Sequence, residues 1–328
     1  MYFIKKQTLE QTADIIKSKI GITDELTIAK LSDEIDGFEL VDKTEDIITR
    51  AVSSYKGNSI ETIRNYAFYN CSNLTSVDFP VCTDIGSSAF GYCTRLKSIN
   101  FPACTRVGSN AFYSCAGLSS INFPVCTNID RGAFDKCRWL TSISFPACIN
   151  IGSNAFYKCS ITYANFPKCT SIGSNAFKYC TSIASISFPE CTSIGSSAFC
   201  SCARITSVNF PACISIGNEA FYNCAKITHV SFPVCTSVTS NAFAYCKALV
   251  SAYFPVCSII APYAFRYCSS LTNLTLLSAS VCTLSNSNAF TSTPIASGTG
   301  YVYVPSSLVA SYKAATNWTY FSNQIVGI

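Results

Sequence analysis

The amino-acid sequence predicts an α/β repeat solenoid, in which short parallel strands stack and helical turns connect them. The dipeptide Ala-Phe recurs with its Phe at positions 68, 90, 112, 134, 156, 177, 199, 221, 243, 265 and 290. Phe-Pro recurs with its Phe at 79, 101, 123, 145, 166, 188, 210, 232 and 254. Most steps are 22 residues in both series. A unit of this size cannot bury its own apolar face, so about ten units must stack to form one core.

One unit, residues 96–115, shows how each coil begins. Leu96, Ile99 and Phe101 follow an L-x-x-I-x-F pattern whose last two members alternate as in a strand. Pro102 has no N–H and would remove a hydrogen bond from a ladder of strands. The pattern therefore predicts a short strand that ends at the Phe-Pro dipeptide.

The second half of the unit predicts another extended piece and a turn. Val107 indicates a second short strand, and Gly108 indicates a turn. Ser109 stands where its hydroxyl could cap a short helical turn formed by Ala111 and Phe112. Because the Gly position does not always hold Gly, it cannot require a positive φ everywhere. The exceptions are Arg64, Asp130, Thr239 and Ala261.

The repeat unit resembles the BspA-like leucine-rich repeat family. The resemblance lies in the strand pattern, in the segment Ile-Gly-Ser-x-Ala-Phe-x-x-Cys and in the return to Leu-x-x-Ile. The resemblance covers roughly residues 45–328. It implies a leucine-rich-repeat solenoid with a parallel sheet on one side. We therefore predict three regions: a small helical module at 1–40, the solenoid of about ten 22-residue repeats at 41–292, and a cap of one strand and one helix at 293–328.

One unit departs from the 22-residue length. The unit that follows Cys159 lacks one residue before Phe166. A missing residue must be absorbed locally if the neighbouring coils keep their register. We expect a kink or bulge around Tyr163 and Ala164.

The first 40 residues differ in character from the repeats. Leu9, Ala13, Ile16 and Ile20 recur at helical spacing, and a second short helix is predicted before residue 37. The segment from 9 to 38 resembles a small helical module at the front of phage and prophage structural proteins. The alternative is an N-terminal lid on the solenoid. The segment has no apolar core followed by a small-residue cleavage site, so we expect synthesis in the cytoplasm without a standard export signal.

The last 36 residues predict a cover for the open end of the core. Residues 291–300 are rich in Ser, Thr and Gly and predict a loop. Residues 301–305 predict a strand, and Ser306 or Ser307 is the expected cap of a helix that reaches about Ala315. Trp318 and Ile325 are expected to shield the final coil, because terminal repeats need such a cover.

Twenty of the 21 cysteines form two columns, and Cys200 belongs to neither. Three interpretations are open: small buried side chains, disulfides between stacked neighbours about 4.8 Å apart, or a metal site. No C-x₂₋₄-C pair is present, which disfavours a metal, and the missing export signal disfavours disulfides. One column is Cys71, Cys93, Cys115, Cys137, Cys159, Cys180, Cys202, Cys224, Cys246 and Cys268, and the other is Cys82, Cys104, Cys126, Cys148, Cys169, Cys191, Cys213, Cys235, Cys257 and Cys282.

Composition argues against catalysis and several partner classes. His229 is the single histidine, and it has no acid or nucleophile at a motif spacing. We predict no catalytic residue, cofactor or metal. No stretch approaches 18 apolar residues, so no membrane insertion is expected. The net charge of +5 is spread without a basic run, so nucleic acid is not an expected partner.

A row of polar strand positions is the predicted binding site. Stacked Asn and Ser side chains can hydrogen-bond one another along the sheet, or they can bind sugar hydroxyls or peptide groups. The row comprises Asp78, Asn100, Asn122, Ser144, Asn165, Ser187, Asn209, Ser231 and Tyr253.

Two other surfaces are candidates. Tyrosines recur in the turn after Ala-Phe, where they either contact a ligand or cover the core: Tyr69, Tyr92, Tyr113, Tyr157, Tyr179, Tyr222, Tyr245 and Tyr267. A sparse edge lies just before the strands and could simply serve solubility: Arg95, Arg138, Trp139, Arg204, Lys226 and Lys247.

These features predict a non-enzymatic binding and structural protein. The resemblance of residues 1–40 favours a phage or prophage virion or tail-associated protein that recognises a bacterial cell-surface glycan or protein. Residues 1–40 would then contact other virion proteins, and the protein would lie in the virion or outside the cell after release. The alternatives are a BspA-type surface adhesin that binds host matrix or cell-surface proteins, and an intracellular protein-interaction scaffold.

Overall fold

The computed structural model describes residues 53–328, which form a solenoid of parallel strands. Each coil contributes one strand of three residues and one strand of two residues. The predicted module at 1–40 lies outside the described residues. The three-residue strands are β1 Ser54–Lys56, β3 Ser76–Asp78, β5 Ser98–Asn100, β7 Ser120–Asn122, β9 Ser142–Ser144, β11 Tyr163–Asn165, β13 Ser185–Ser187, β15 Ser207–Asn209, β17 His229–Ser231, β19 Ser251–Tyr253 and β21 Asn273–Thr275.

The two-residue strands form a second side of every coil. They are β2 Thr62–Ile63, β4 Asp84–Ile85, β6 Arg106–Val107, β8 Asn128–Ile129, β10 Asn150–Ile151, β12 Ser171–Ile172, β14 Ser193–Ile194, β16 Ser215–Ile216, β18 Ser237–Val238, β20 Ile259–Ile260 and β22 Thr283–Leu284. The register places each residue opposite its repeat equivalent, as in Ile85 opposite Val107. Both predicted strands of the repeat unit are therefore confirmed.

The sheet of three-residue strands is interrupted at intervals. Its hydrogen-bonded groups are β1-β3-β5-β7, then β9-β11, then β13-β15, and finally β17-β19-β21 continued by β23 (Tyr301–Val304) and β24 (Ile325–Gly327). The sheet of two-residue strands runs unbroken from β2 to β16 and resumes with β18-β20-β22. The interruptions thus fall mainly on one side of the solenoid.

The third side is a ladder of turns, and the predicted helical turn is wrong. Between Gly108 and Cys115 the amides of Asn110, Phe112 and Ser114 donate to carbonyls of the next coil, at 2.7–2.8 Å. The amides between them donate instead to the carbonyl three residues earlier. Asn110 and Ser114 both have a φ of 56°. Every second amide points towards the next coil and a left-handed residue recurs every fourth position, so no helix can form.

Two files of phenylalanine rings fill the core. Within a file the rings stack nearly parallel: Phe90 and Phe112 lie 5.1 Å apart at 3°, and Phe79 and Phe101 lie 5.2 Å apart at 10°. Between files the rings meet edge to face, as for Phe79 and Phe90 at 64°. Both arrangements are favourable for aromatic pairs. Because each fully buried ring contributes roughly 1.5–3 kcal/mol, the files dominate the stability of the solenoid.

The recurring glycine serves close packing between coils. Gly195 lies so close to the preceding coil that an added Cβ would meet the Ser174 amide nitrogen at 2.5 Å and the Gly173 carbonyl carbon at 2.6 Å. Positive φ occurs at only two glycines among the described residues, Gly132 and Gly298, neither of which holds this position. The prediction that the position does not require positive φ is confirmed.

The short unit does not produce the expected bulge. Tyr163 and Ala164 of β11 pair in regular register with Ser142 and Ile143. The missing residue is absorbed upstream, where only Ser160 separates the buried Cys159 from the buried Ile161. β11 makes no ladder with β13, but the same interruption occurs between β7 and β9 and between β15 and β17, where no residue is missing.

The end of the chain covers the last coil, with two local corrections. Trp318 is buried and donates from Nε1 to the Cys282 carbonyl at 2.7 Å, and its ring lies 5.9 Å from Phe290. The predicted loop contains a short helix, α1 Pro294–Ser297, because the Thr293 hydroxyl accepts from the Ala296 amide at 3.2 Å.

The predicted helical cap at Ser306 or Ser307 is also wrong. A 3₁₀ turn at Ser306–Leu308 precedes helix α2 Val309–Ala314, and neither has a side-chain cap. The Ser306 hydroxyl donates instead to the Ile328 carbonyl at 3.3 Å, because β24 brings the chain terminus beside it. Further 3₁₀ turns occupy Ser287–Phe290 and Trp318–Gln324. No described helix is long and apolar enough to cross a membrane.

The left-handed turn positions can be tested at Ser88, whose φ is 55°. Ser88→Gly should raise the free energy of unfolding by roughly 0.5–1 kcal/mol, because glycine adopts positive φ without a steric penalty. Ser88→Val should lower it, because a β-branched residue is disfavoured there. Urea denaturation followed by circular dichroism measures both changes.

The neighbouring Ser87→Gly is the matched control, because Ser87 is not among the residues with positive φ. Glycine at Ser87 should destabilise the protein slightly through added freedom of the unfolded chain. Equal shifts for Ser87→Gly and Ser88→Gly would contradict the assignment.

Candidate functional site

The nine predicted binding residues lie in one row. Each is the last residue of a three-residue strand, from Asp78 in β3 to Tyr253 in β19. We call this set the polar row. All nine are half-buried or exposed, because alternation along each strand turns the middle residue into the core. From Asn100 to Tyr253 the row contains no charged side chain.

Side chains in the polar row hydrogen-bond one another within the first three groups of strands. The Asn100 amide donates to Asp78 Oδ1 at 2.7 Å, and the Asn122 amide donates to Asn100 Oδ1 at 2.7 Å. Two further pairs follow the same rule: Asn165 donates to Ser144 Oγ at 3.1 Å, and Asn209 donates to Ser187 Oγ at 3.0 Å. The structural ladder considered from the sequence is therefore present.

From Asp78 to Ser231 the side-chain ladder is interrupted where the main-chain ladder is interrupted. No side-chain hydrogen bond in the row joins β7 to β9, β11 to β13, or β15 to β17. At each junction an Asn that ends one group faces a Ser that begins the next. The three junctions are Asn122 with Ser144, Asn165 with Ser187, and Asn209 with Ser231. Their polar atoms are the ones in the row best placed to bind a ligand.

A cleft opens at the middle junction. It has a volume of about 290 Å³ and lies between β11 and β13. Sequence reasoning placed an irregularity here but did not foresee an opening. The sequence feature that could have indicated the cleft is the short unit, in which Tyr163 and Ala164 replace the usual Ser and Ile of the strand.

His229 is not part of a catalytic arrangement. It is exposed in β17, and its Nδ1 shares a hydrogen bond with the Thr228 hydroxyl at 3.0 Å. This agrees with the expected solvent-facing strand position. Within residues 53–328 no group of three His, Cys, Asp or Glu side chains could hold a metal ion.

The tyrosines of the turns form three clusters along one flank. Tyr69, Tyr92 and Tyr113 follow one another at ring distances of 5.6 and 5.2 Å. The other clusters are Tyr157 with Tyr179, and Tyr222 with Tyr245 and Tyr267. The rings contact one another at steep angles in most pairs, so they cover the turns rather than form a flat platform.

Cations lie over several of these rings. Lys136 Nζ is 4.7 Å from the Tyr113 ring centre and hydrogen-bonds its hydroxyl, which lowers the pKa of Tyr113. Lys158 Nζ lies 5.2 Å from Tyr157 and 5.5 Å from Tyr179. These contacts hold the lysine side chains against the turns. In the sparse basic edge, Trp139 is 70% exposed.

The cysteine columns are buried, and the thiols do more than fill space. In the first column, Sγ donates to the carbonyl of a phenylalanine one coil earlier, as from Cys93 to Phe68 at 3.0 Å. In the second, Sγ donates to the carbonyl two residues later, as from Cys104 to Arg106 at 3.1 Å. None of the 21 cysteines forms a disulfide. Cys282 ends the pattern, with its Sγ 3.8 Å from Cys257 Sγ.

Burial suppresses the thiolate form. Loss of hydration raises the pKa of Cys180 and Cys246 to about 12, and that of Cys191 and Cys235 to about 11. Reactive thiols need a lowered pKa and access to solvent, and these have neither. The columns are therefore structural. Cys257 is the exception, because the hydrogen bond from Cys282 lowers its pKa.

The stacked parallel strands, short coils and buried repeat residues define a leucine-rich repeat protein. The BspA type leucine-rich repeat region, a model of six copies, matches residues 61–184, 105–215 and 192–308. The chain belongs to this family. No curated protein matches it.

Several solved structures are similar to this chain. A leucine-rich cell surface protein of Faecalibacterium prausnitzii A2-165 matches over 84% of this chain and 92% of its own, with 20% identity and a TM-score of 0.46. A leucine-rich repeat protein of Bacteroides ovatus covers 70% and 79%, with 20% identity and a TM-score of 0.47. The pneumococcal vaccine antigen PcpA covers 84% and 79%, with 17% identity and a TM-score of 0.47.

The buried thiols predict a loss of stability in alkali. The pKa of each buried thiol in the folded protein lies above the unfolded value near 9. The contribution of the protonated thiols to the free energy of unfolding is therefore complete below pH 9 and is lost as the pH rises towards 11–12. Each such thiol should reduce the free energy of unfolding by about 1.4 kcal/mol per pH unit in that window. Urea midpoints at pH 7, 8, 9, 10 and 10.5, with reductant present, should fall steeply only above pH 9.

Cys180→Ala should make the free energy of unfolding fall less steeply with pH, by the equivalent of one proton per molecule. Ser215→Ala, which removes an exposed hydroxyl, should leave the slope unchanged. A midpoint that stays constant between pH 9 and 10.5 would refute the account.

Proposed function

We propose that this chain is a non-enzymatic binding protein of the adhesin type that recognises a cell-surface glycan or protein. The observation that carries the proposal is the polar row, a file of amides and hydroxyls that is uncharged from Asn100 onwards and largely hydrogen-bonded along the sheet. Membership of the BspA-type repeat family supports a binding role. The buried, protonated thiols and the exposed, solitary His229 offer no group suited to catalysis.

Rigidity is the physical advantage of this surface. The main chain is held by ladders along the coils, and the row side chains from Asp78 to Asn209 are held by hydrogen bonds to one another. Ordering costs on binding are therefore small, because these groups are already fixed. A long file of weak contacts suits a repetitive or extended ligand, whose units can engage successive coils at once.

The setting in a phage or prophage particle is a separate proposal that depends on residues 1–40. Those residues lie outside the described part, and no described feature favours that setting over a cell surface. Mass spectrometry of purified particles and of cell envelopes distinguishes the two locations. Detection of the protein in cell envelopes alone would reject a location in the phage or prophage particle.

The polar row can be blocked without disturbing the core. Asn122→Arg combined with Asn209→Arg places two long charged side chains on the sheet face. We expect binding of the full chain to whole cells and to a glycan array to fall at least about tenfold, equivalent to 1.4 kcal/mol. Flow cytometry and array fluorescence measure the change.

The matched control is Asn150→Arg combined with Ser215→Arg, which alters exposed positions of the two-residue strands. The control should bind as the unaltered chain does. Equal loss in both double variants, or no loss in the first, would argue against the row as the binding surface.

A further inference from the structure

We propose that the cleft between β11 and β13 is a binding subsite for an uncharged sugar unit of a glycan. This inference rests on the proposed binding function and assigns one location and one ligand class to it. Six of the residues that line the cleft are Tyr163, Asn165, Pro167, Ser185, Ser187 and Pro189.

This junction shares its interrupted ladders with two others, and it differs from them in the length of its unit and in the residue at the middle of β11. The unit is one residue short, the main-chain ladder stops after β11, and the side-chain ladder stops at Asn165. Ala164 occupies the strand position held by Ile143 and Ile186 in the flanking groups, so side-chain volume is missing beside the junction. The absent volume and the open ladder together explain why a cleft forms here.

The lining supplies the groups that recognise a sugar. Tyr163 is 57% exposed, and its neighbours at the same strand position are Ser142 and Ser185, so its ring stands clear of other large side chains. An exposed aromatic ring offers an apolar surface to the C–H face of a sugar ring. Asn165, Ser185 and Ser187 provide amide and hydroxyl groups that pair with sugar hydroxyls, each of which donates and accepts.

Charge and size select the ligand class. None of the residues lining the cleft carries a formal charge, which favours a neutral sugar over an acidic one. The volume of about 290 Å³ lies at the lower limit of ligand pockets, roughly 300–1,000 Å³, and suits a small unit of a longer chain.

A peptide strand inserted into the open ladder fits less well. Insertion would need β11 and β13 to stand about 10 Å apart, twice the usual strand spacing. Phe166 and Phe188, which directly follow these strands, lie 5.6 Å apart, close to the 5.5 Å of Phe145 and Phe166 in an intact pair. The junction is therefore open at the surface and closed in the core.

Two substitutions test the subsite with residues the fold already uses. Tyr163→Ser installs the residue of Ser142 and Ser185, and Ala164→Ile installs the residue of Ile143 and Ile186. Both should therefore fold, with thermal midpoints near that of the unaltered chain. The first removes the aromatic surface, and the second adds volume at Ala164, which both lines the cleft and packs against the core. His229→Ser, at the same strand position three coils further on, is the matched control.

The probes are a glycan array of neutral and acidic oligosaccharides, followed by saturation-transfer NMR with methyl glycosides of hexoses and N-acetylhexosamines. We expect the full chain to bind neutral probes. Tyr163→Ser and Ala164→Ile should each weaken that binding about tenfold or more, and His229→Ser should change it less than twofold. The saturation-transfer signals of the methyl glycosides should decrease when the oligosaccharide bound on the array is added.

Each other outcome counts against this subsite in a distinguishable way. Glycan binding that survives both substitutions places the site elsewhere while the adhesin role stands. Binding to cells or proteins without neutral glycan binding rejects the sugar while the adhesin role again stands. A preference for acidic glycans rejects the ligand class. Failure to bind cells, proteins and glycans alike rejects the proposed function itself.

Discussion

Parallel stacking of identical coils is the constraint on which the structure depends. Every coil must return its backbone to the same path about 4.8 Å further along, because the amides of one coil need the carbonyls of the next. Each side chain then lies against its own repeat equivalent. A residue type is acceptable at a core position only if it packs well against a copy of itself. Phenylalanine meets this demand through parallel ring stacking at 4.9–5.8 Å in the Ala-Phe file.

The same constraint explains the cysteines and the left-handed turns. A cysteine is small enough to stack on itself, and its thiol satisfies a carbonyl that already accepts one amide, as Phe90 accepts from Cys93 and Cys115. In the turns, every second amide points towards the next coil, and left-handed residues recur every fourth position. These left-handed residues cost roughly 1–2 kcal/mol each unless they are glycine or asparagine. In return, the turns form a third ladder of hydrogen bonds between successive coils.

Most of the fold, but less of the site, could be predicted from the sequence. Periodicity located both strands, both ring files and the end cover, since each depends on residue type at fixed spacing. The helical turn was mistaken because Ser-x-Ala-Phe contains good helix-capping and helix-forming residues. Only the inter-coil hydrogen bonds reveal that Asn110 and Ser114 are left-handed. The Cys–carbonyl bonds were invisible for the same reason, because spacing shows that thiols stack but not where Sγ points.

The cleft shows how a regular array acquires a distinct site. The deletion beside Ser160 leaves the strand register intact, so the prediction of a bulge was wrong, although its location was only one junction away. At the next interface β11 and β13 form no ladder and a cleft opens, while Phe166 and Phe188 stay stacked. Because the rings hold the core closed, the opening is confined to the surface that carries the polar row. An array of equal coils thereby presents one position that differs chemically from all others, Tyr163 beside an open amide-hydroxyl junction.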